Sequence, residues 1–253
     1  MVRTLLLLSW LALAAATQAE VDVSHSAAEM AAARAAVKQH HGAQLHWMLL
    51  GERFELQTNE GDPAMVWEGQ AWIGGDLQKF WLKSEAEYET EDTHLAELEI
   101  QALYSRAVTP FWDLQAGVRQ DIKPKPSRSY GVIGLAGLAP YWFEVDAALF
   151  FSDESDVSVR LEAEYELRLT QRLLLQPRIE LNGAFSADEE IGVGAGLGSV
   201  DFGLRLRYEL AKEFAPYVGL RLSHALGDSA DLRRAEGEDR NVFSLVAGVR
   251  FWF

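Results

Sequence analysis

A strict two-residue alternation of apolar and charged side chains runs through the middle of the chain. In VSVRLEAEYELRLT, residues 157–170, Val, Leu, Ala and Tyr hold the odd-numbered positions, and Ser, Arg, Glu and Thr hold the even-numbered ones. An α-helix repeats its faces every 3.6 residues and cannot separate side chains in this way. The segment is therefore predicted to be a β-strand with one apolar face and one charged face.

The same alternation recurs along most of the chain. It is clear in KFWLKSEAEYET, residues 79–90, and in DFGLRLRYEL, residues 201–210. Twelve strands are predicted in all, at 46–57, 64–73, 79–90, 94–105, 110–121, 129–138, 140–151, 157–170, 172–184, 198–210, 214–225 and 242–253.

The connections between these segments alternate between short and long. Short ones are predicted at 74–76, 107–109, 139–140, 170–171 and 211–212, and long polar ones at 121–128, 152–156, 186–198 and 227–241. Strands of about ten residues, with short turns on one side and long loops on the other, are typical of outer-membrane β-barrels. We therefore expect an all-β, antiparallel transmembrane barrel of about 12 strands in the outer membrane, in contact with its lipid.

A secreted β-sandwich is the alternative, since it also has one apolar face per strand and regularly spaced turns. The strand length and the charges on nearly every second face favour a barrel, whose closure removes exposed sheet edges. Aromatic residues near strand ends also resemble the interfacial girdles of a barrel. They are Trp112, Tyr130, Tyr141, Trp142, Tyr208 and Trp252.

The two ends of the chain have distinct patterns. Residues 1–19 combine Arg3, a short apolar run and small residues before a plausible cleavage point, which predicts a secretory signal peptide. Residues 20–44 are Ala-rich and predicted to be a helical or disordered periplasmic arm, and 45–253 the barrel. The segment NVFSLVAGVRFWF, 241–253, is predicted to pair as the last strand with the first, with its aromatic end as an assembly signal.

Composition excludes several classes of function. The chain carries 38 acidic and 23 basic residues, a net charge of −15, which argues against nucleic acid as a partner. It has no cysteine, so disulfides and Cys-type metal sites are excluded. No catalytic triad spacing, phosphate loop or zinc-protease motif is recognisable, so a non-enzyme is expected.

Five stretches resemble one family closely. They contain the motifs PFWDLQ, GLAPYWFE, AEYELRLTQRLLLQPR and GLRLRYE, with EFAPYVGLRL after them, and the resemblance extends from about residue 45 to 253. The chain is similar to copper resistance protein B, the outer-membrane component of bacterial copper-resistance systems. The resemblance implies a barrel that binds copper ions or lets them cross the outer membrane, beside a periplasmic multicopper oxidase. The alternative is a non-conducting barrel that anchors or docks that oxidase.

Members of this family often carry a Met- and His-rich region before the barrel, and here that region is short. Copper(I) favours thioether sulfur, and copper(II) favours imidazole and carboxylate. A polar linker with incidental histidines is the other interpretation of HHGAQLHWM, residues 40–48. The candidate copper ligands are His25, Met30, His40, His41, His46, Met48 and His94.

The charged strand faces predict an acidic lumen, if the apolar faces contact lipid. The candidate acidic path comprises Glu85, Glu87, Glu89, Glu97, Glu99, Asp113, Glu144, Asp146, Glu162, Glu164 and Glu166, with Glu180, Asp201 and Glu209 also inward. Basic residues on the same faces are Lys79, Lys83, Arg119, Arg160, Arg168, Arg178, Arg205, Arg207, Arg221 and Arg250. Pairing that only stiffens the barrel is one interpretation, and a cation-concentrating funnel is the other.

The protein is expected to be a monomer.

Overall fold

The computed structural model describes residues 26–40, 44–59, 63–90, 94–237 and 239–253. The predicted signal peptide, together with His25 and His41, lies outside the described residues. Two units are distinguished, divided between Gln44 and Leu45.

The described part of the first unit is one helix, α1, at Ala27–His40. It begins with a capping box, in which Ser26 Oγ accepts a hydrogen bond from the Glu29 backbone N–H at 3.2 Å and the Ser26 backbone N–H donates to the Glu29 carboxylate at 2.8 Å. The hydrogen bonds that Ser26 donates from its backbone and its hydroxyl lower the pKa of the Glu29 carboxyl. Residues 26–37 are exposed. Among the described residues, no helix has both the length and the apolar character needed to cross a membrane.

The second unit consists of β-strands and one further α-helix, α2. The strands are β1 His46–Gln57, β2 Ala64–Gly74, β3 Gln78–Glu89, β4 His94–Ala107, β5 Trp112–Lys123, β6 Arg128–Ala139, β7 Phe143–Ser152, β8 Val157–Glu164, β9 Leu167–Arg168, β10 Leu173–Ala184, β11 Gly196–Tyr208, β12 Phe214–Ala225 and β13 Asn241–Trp252. Helix α2 is Gly227–Glu236, and short 3₁₀ turns lie at Pro140–Trp142 and Glu189–Ile191.

The strands form a closed antiparallel barrel. Strands that follow each other in sequence pair with each other, except that β8 pairs with β10 instead of β9, and β1 pairs with β13 to close the ring. Strands β8 and β9 both pair with β10 and together form one interrupted strand, which gives twelve strand positions around the barrel. The predicted all-β barrel of about 12 strands is confirmed.

The alternation of the sequence places polar side chains inside the barrel. On β1, Glu55 and Gln57 face the interior, called the lumen below, and are 1% exposed, whereas Leu56 between them faces outward and is 60% exposed. A similar split recurs on the other strands, where most of the exposed large apolar side chains are Leu, Val, Ile and Phe, although some apolar side chains, such as Leu103, Val132 and Phe150, are buried. The interior is therefore a charged lumen inside an apolar wall, the reverse of a soluble globular domain.

Three local features differ from the simple alternation. The predicted strand 157–170 is interrupted at 165–166. A register shift between Gly51 and Arg53 brings both Glu52 and Arg53 into contact with lumen side chains. Tyr130, one of the expected girdle aromatics, instead packs against Phe150, which is 2% exposed.

The connections differ in length between the two ends of the barrel. The turn end carries 75–77, 108–111, 140–142, 169–172 and 209–213, as well as the beginning of β1 and the end of β13. The loop end carries six connections, of which 185–195 and 226–240 are the longest. Helix α2 lies in the last of these, and its Ser229 Oγ accepts a hydrogen bond from Gly194 N–H at 2.9 Å. In barrels of this type the short turns are periplasmic and the long loops extracellular.

Candidate functional site

Four carboxylates stand side by side on one half of the lumen wall. They belong to β2, β3, β4 and β5, and each lies directly opposite the next in the strand register. This first carboxylate row consists of Glu68, Glu85, Glu99 and Asp121. Two of its members, Glu85 and Glu99, were predicted for the acidic path.

A second carboxylate row occupies the other half of the wall. It crosses β7, β8, β10 and β11, again with each residue directly opposite the next. It consists of Asp146, Glu162, Glu180 and Asp201. Like charges that face each other across neighbouring strands destabilise a sheet, so both rows need cations close by.

Arginines supply these cations, and some reach across the lumen. Arg160 on β8 places Nη1 3.4 Å from Glu85 and Nη2 3.1 Å from Glu99, both on the opposite half of the wall. Arg178 on β10 holds Glu162 with two hydrogen bonds of 2.6 and 2.7 Å, and its Nη1 lies 3.6 Å from Glu68 on β2. The two rows are therefore joined by ion pairs through the middle of the barrel.

Other cations complete the network. Arg53 pairs with Glu68 and Glu85, and Arg119 pairs with Glu99 and Asp121. On the second row, Lys83 Nζ lies 2.5 Å from Asp146, and Arg221 Nη2 lies 2.7 Å from Asp201. Among the described residues, eight row carboxylates thus meet six cationic side chains, which leaves this level of the lumen net acidic.

An apolar patch interrupts the charged surface of the lumen. Leu103, Val132 and Phe150 pack together on β4, β6 and β7, and all three are 3% exposed or less. The Arg119 guanidinium lies 4.5 Å from the centroid of the Phe150 ring, and that of Arg160 lies 5.7 Å from it. The aromatic face therefore positions two of the arginines that bind the first carboxylate row.

Three predicted acids have no ion pair or side-chain hydrogen bond with other described residues. Glu87 and Glu97 lie directly opposite each other on β3 and β4, nearer the loop end than the first carboxylate row. Glu144 lies nearer the turn end than the second carboxylate row and faces Glu164 on β8. In the described part of the chain, acidic side chains without an ion-pair partner therefore lie on both sides of the arginine network.

The remaining predicted acids have partners in the structure. Asp113 accepts a hydrogen bond from Ser105 at 3.1 Å and has Lys79 Nζ at 3.8 Å. Glu164 accepts a hydrogen bond from Gln176, and Glu166 pairs with Arg207. Glu89 Oε2 lies 3.6 Å from His94 Nδ1 at the loop end.

Several lumen residues were absent from the sequence interpretation. Glu55 accepts two hydrogen bonds from Arg205, at 2.8 and 2.9 Å, and one from the Tyr217 hydroxyl at 2.9 Å. The other missed members are Glu52, Arg53, Glu68 and Asp121. The charged alternation in GERFELQ, residues 51–57, was a usable signal for the residues on β1.

The candidate copper ligands are spread along the described part of the chain. Met30 is an exposed residue of α1, and His40 is the last residue of that helix. His46 and Met48 lie two positions apart on β1 at the turn end, whereas His94 is at the loop end of β4. Within the described ranges, no group of three or more His, Asp or Glu side chains is arranged to hold a metal ion.

The fold matches solved outer-membrane barrels. The NanC porin superposes with a TM-score of 0.53 at 12% identity, covering 81% of this chain and 99% of the porin. The KdgM porin, solved in complex with disordered oligogalacturonate, gives 0.51 at 12% identity, covering 82% of this chain and 99% of that one. The protein therefore has the β-barrel fold of outer-membrane porins.

Sequence comparison gives the family. The family model described as Copper resistance protein B precursor matches residues 45–253. Copper resistance protein B of Escherichia coli is 40% identical over 213 residues, 84% of this chain and 71% of that protein. The homolog of copper resistance protein B from Pseudomonas syringae pv. tomato is 41% identical over 238 residues, 94% of this chain and 77% of that one. This chain belongs to the copper resistance protein B family, as its motifs indicated, and is an outer-membrane copper-resistance barrel.

Proposed function

We propose that copper ions cross the outer membrane through the lumen of this barrel, guided by its carboxylates. The observation that supports this path is the excess of carboxylates over cations in the two rows, together with Glu87 and Glu97 nearer the loop end, which form no ion pair with described residues. Copper is the transported substrate in this proposal, and the protein acts as a monomer without enzymatic chemistry.

The physical basis of the path is electrostatic. A lumen with an apolar wall focuses the field of its charges and raises the local concentration of cations. Rings of carboxylates select cations in channels in the same way. Copper(II) also accepts carboxylate and imidazole ligands, and His94 beside Glu89 offers both at the loop end. Transient contacts of this kind suit conduction, which requires that an ion can leave its site.

The double substitution Glu87→Gln and Glu97→Gln tests the proposal. These side chains have no ion pair with described residues, so their neutralisation removes two lumen charges without leaving an arginine unpaired. We expect copper uptake into proteoliposomes to fall severalfold, because the negative potential at the loop end is reduced. Uptake is measured with a copper-sensitive dye enclosed in the vesicles.

The matched control is Glu154→Gln with Glu213→Gln. Both residues are exposed in connections outside the strands, and the change in net charge is the same. Uptake by the control should equal that of the unchanged protein. Equal uptake by the lumen variant and the control would reject the lumen path.

A docking role for the arm is the second candidate function. Its support is α1, which has a capped start and is exposed throughout residues 26–37, as expected of a segment that offers its surface to another protein. In this proposal the arm, residues 20–44, binds a periplasmic multicopper oxidase and supplies copper ligands from Met30 and the neighbouring histidines. Binding of a purified multicopper oxidase to the complete protein and to the protein without residues 20–44 tests it, and equal binding would contradict it.

A further inference from the structure

Arg160 extends from its own strand to the opposite half of the barrel. Strand β8 is five positions from β3 in a ring of twelve, where a diametrically opposite strand is six positions away. Its guanidinium nevertheless lies 3.4 Å from Glu85 on β3 and 3.1 Å from Glu99 on β4. The ion pairs of Arg160 with Glu85 and Glu99 therefore span the lumen from one half of the wall to the other.

Several contacts fix the position of this guanidinium. Its Nε lies 3.7 Å from Glu180 and donates a hydrogen bond of 3.3 Å to Asn182 Oδ1, and the Nδ2 of the same Asn182 donates to Glu180. Its planar group also lies 5.7 Å from the centroid of the Phe150 ring. Among the described residues, Arg160 and Arg178 both form ion pairs with carboxylates of the two rows, and those of Arg160 lie on β3, β4 and β10.

The carboxylates around Arg160 do not depend on it alone. Glu85 also pairs with Arg53 at 3.4 Å, and Glu99 pairs with Arg119 at 2.8 Å. Glu180 pairs with Arg178 at 3.1 Å. Each row carboxylate that Arg160 contacts therefore keeps a second arginine, so the sheet does not require Arg160 to balance facing carboxylates.

We infer that Arg160 is a selectivity-determining residue of the lumen. Its side chain obstructs the space between the two carboxylate rows through which an ion would move along the lumen. Its positive charge also reduces the preference for cations at the level of these rows. The inference concerns the passage of any small ion. It rests on the proposed function only in taking the lumen as the path, and it does not require that copper is the ion transported.

The test is the substitution Arg160→Gln in planar lipid bilayers. The expected results are a single-channel conductance in KCl that rises about twofold or more and a reversal potential in a KCl gradient that shifts toward the potassium value, because a bridging cation has been removed from a carboxylate-lined path. Arg160→Lys keeps the charge and should keep the reversal potential near that of the unchanged protein.

Arg234→Gln is the matched control for net charge. Arg234 is on α2, pairs only with Asp231 among the described residues, and has a side chain that is 56% exposed. This variant should conduct like the unchanged protein. Unchanged conductance and reversal potential in Arg160→Gln, or an equal change in Arg234→Gln, would overturn the inference.

A second variant removes any dependence on how Arg160→Gln folds. The chain has no cysteine, so Arg160→Cys introduces a single thiol that can be modified after the barrel is inserted. A positively charged methanethiosulfonate reagent should lower the conductance and restore the reversal potential, whereas a neutral reagent of similar size should leave the potential shifted. Identical effects of the two reagents would overturn the inference. Because potassium and chloride carry the current, failure here is separable from failure of the copper proposal.

Discussion

Glu55 illustrates how single buried charges are stabilised in this lumen. Its side chain is inaccessible, and its oxygens accept hydrogen bonds from the Arg205 guanidinium, the Tyr217 hydroxyl and the Gln57 amide. Burial of an isolated carboxylate is costly, and such a group is tolerated only when its lone pairs are occupied by donors. Glu55 therefore stabilises the barrel as part of a group, and the loss of one partner should cost more than the loss of both charges.

Substitution of Arg205 should show this dependence. Arg205→Gln leaves Glu55 charged and buried, and we expect the free energy of unfolding to fall by about 3 kcal/mol. The double variant Arg205→Gln with Glu55→Gln removes both charges and should recover most of that loss. Urea unfolding in lipid vesicles, followed by tryptophan fluorescence, measures both. A double variant that is no more stable than the single one would contradict this account.

At the scale of elements, the long loop between β12 and β13 is ordered by α2. The helix ends at Glu236 and is capped by Gly237, whose φ of 86° is left-handed and whose N–H donates hydrogen bonds to the Arg233 and Arg234 carbonyls. The helix also packs against loop 185–195, where a Cβ added to Gly194 would lie 2.3 Å from the Ser229 backbone nitrogen. Gly194 thus allows the two longest loops of the loop end to pack closely.

Gly194→Ala should separate these loops. Because the added methyl group would overlap the backbone of α2, we expect the helix to detach while the barrel remains folded. Trypsin should then cleave at Arg233 or Arg234 faster than in the unchanged protein. Gly131→Ala is the control, since a Cβ there meets no atom within 4 Å. Equal cleavage rates in the two variants would contradict this role of Gly194.

At the scale of the whole molecule, closure of the sheet allows the strands to lie in the membrane and brings the charged side chains of the lumen together. The pairing of β1 with β13 satisfies the backbone groups of both edges, as a strand structure inside a membrane requires. Closure also brings residues far apart in sequence into contact, such as Arg221 and Gln57, whose side chains hydrogen-bond at 3.0 Å. The lumen network is therefore a property of the complete ring of strands.

Deletion of residues 20–44 tests how the barrel depends on the arm. Because the family match and the second unit both begin at residue 45, we expect the shortened protein to assemble and to transport copper at its normal rate. Copper bound per molecule at equilibrium should fall, since Met30 and His40 are removed. Copper flux into vesicles checks the transport rate, and atomic absorption of the purified protein checks the amount of bound copper. Loss of flux with an assembled barrel would contradict the assignment of the path to the lumen alone.

The sequence by itself determined the class of fold and the family. Alternation with a period of two separates side chains onto two faces whatever the tertiary structure, so the apolar face and the charged face of each strand followed directly from the sequence. The prediction of a barrel then placed the apolar face outside. The strand β1 was predicted at its observed bounds, His46–Gln57. The motifs of the middle of the chain identified the family because they are long and specific. The individual copper ligands stay predictions.

Only the tertiary structure decided which charges meet. The acidic residues 85–89 were expected to exceed nearby base, yet Glu85 is paired by Arg53 and Arg160, the latter from the opposite half of the wall. The missed Asp121 joins the first carboxylate row through strand register. Alternation specifies on which face of its strand a side chain lies, but it specifies neither the register between paired strands nor which strand lies opposite across the lumen. Those depend on how twelve strands close into a ring, and hence on contacts between residues more than 60 positions apart, such as Arg160 and Glu99.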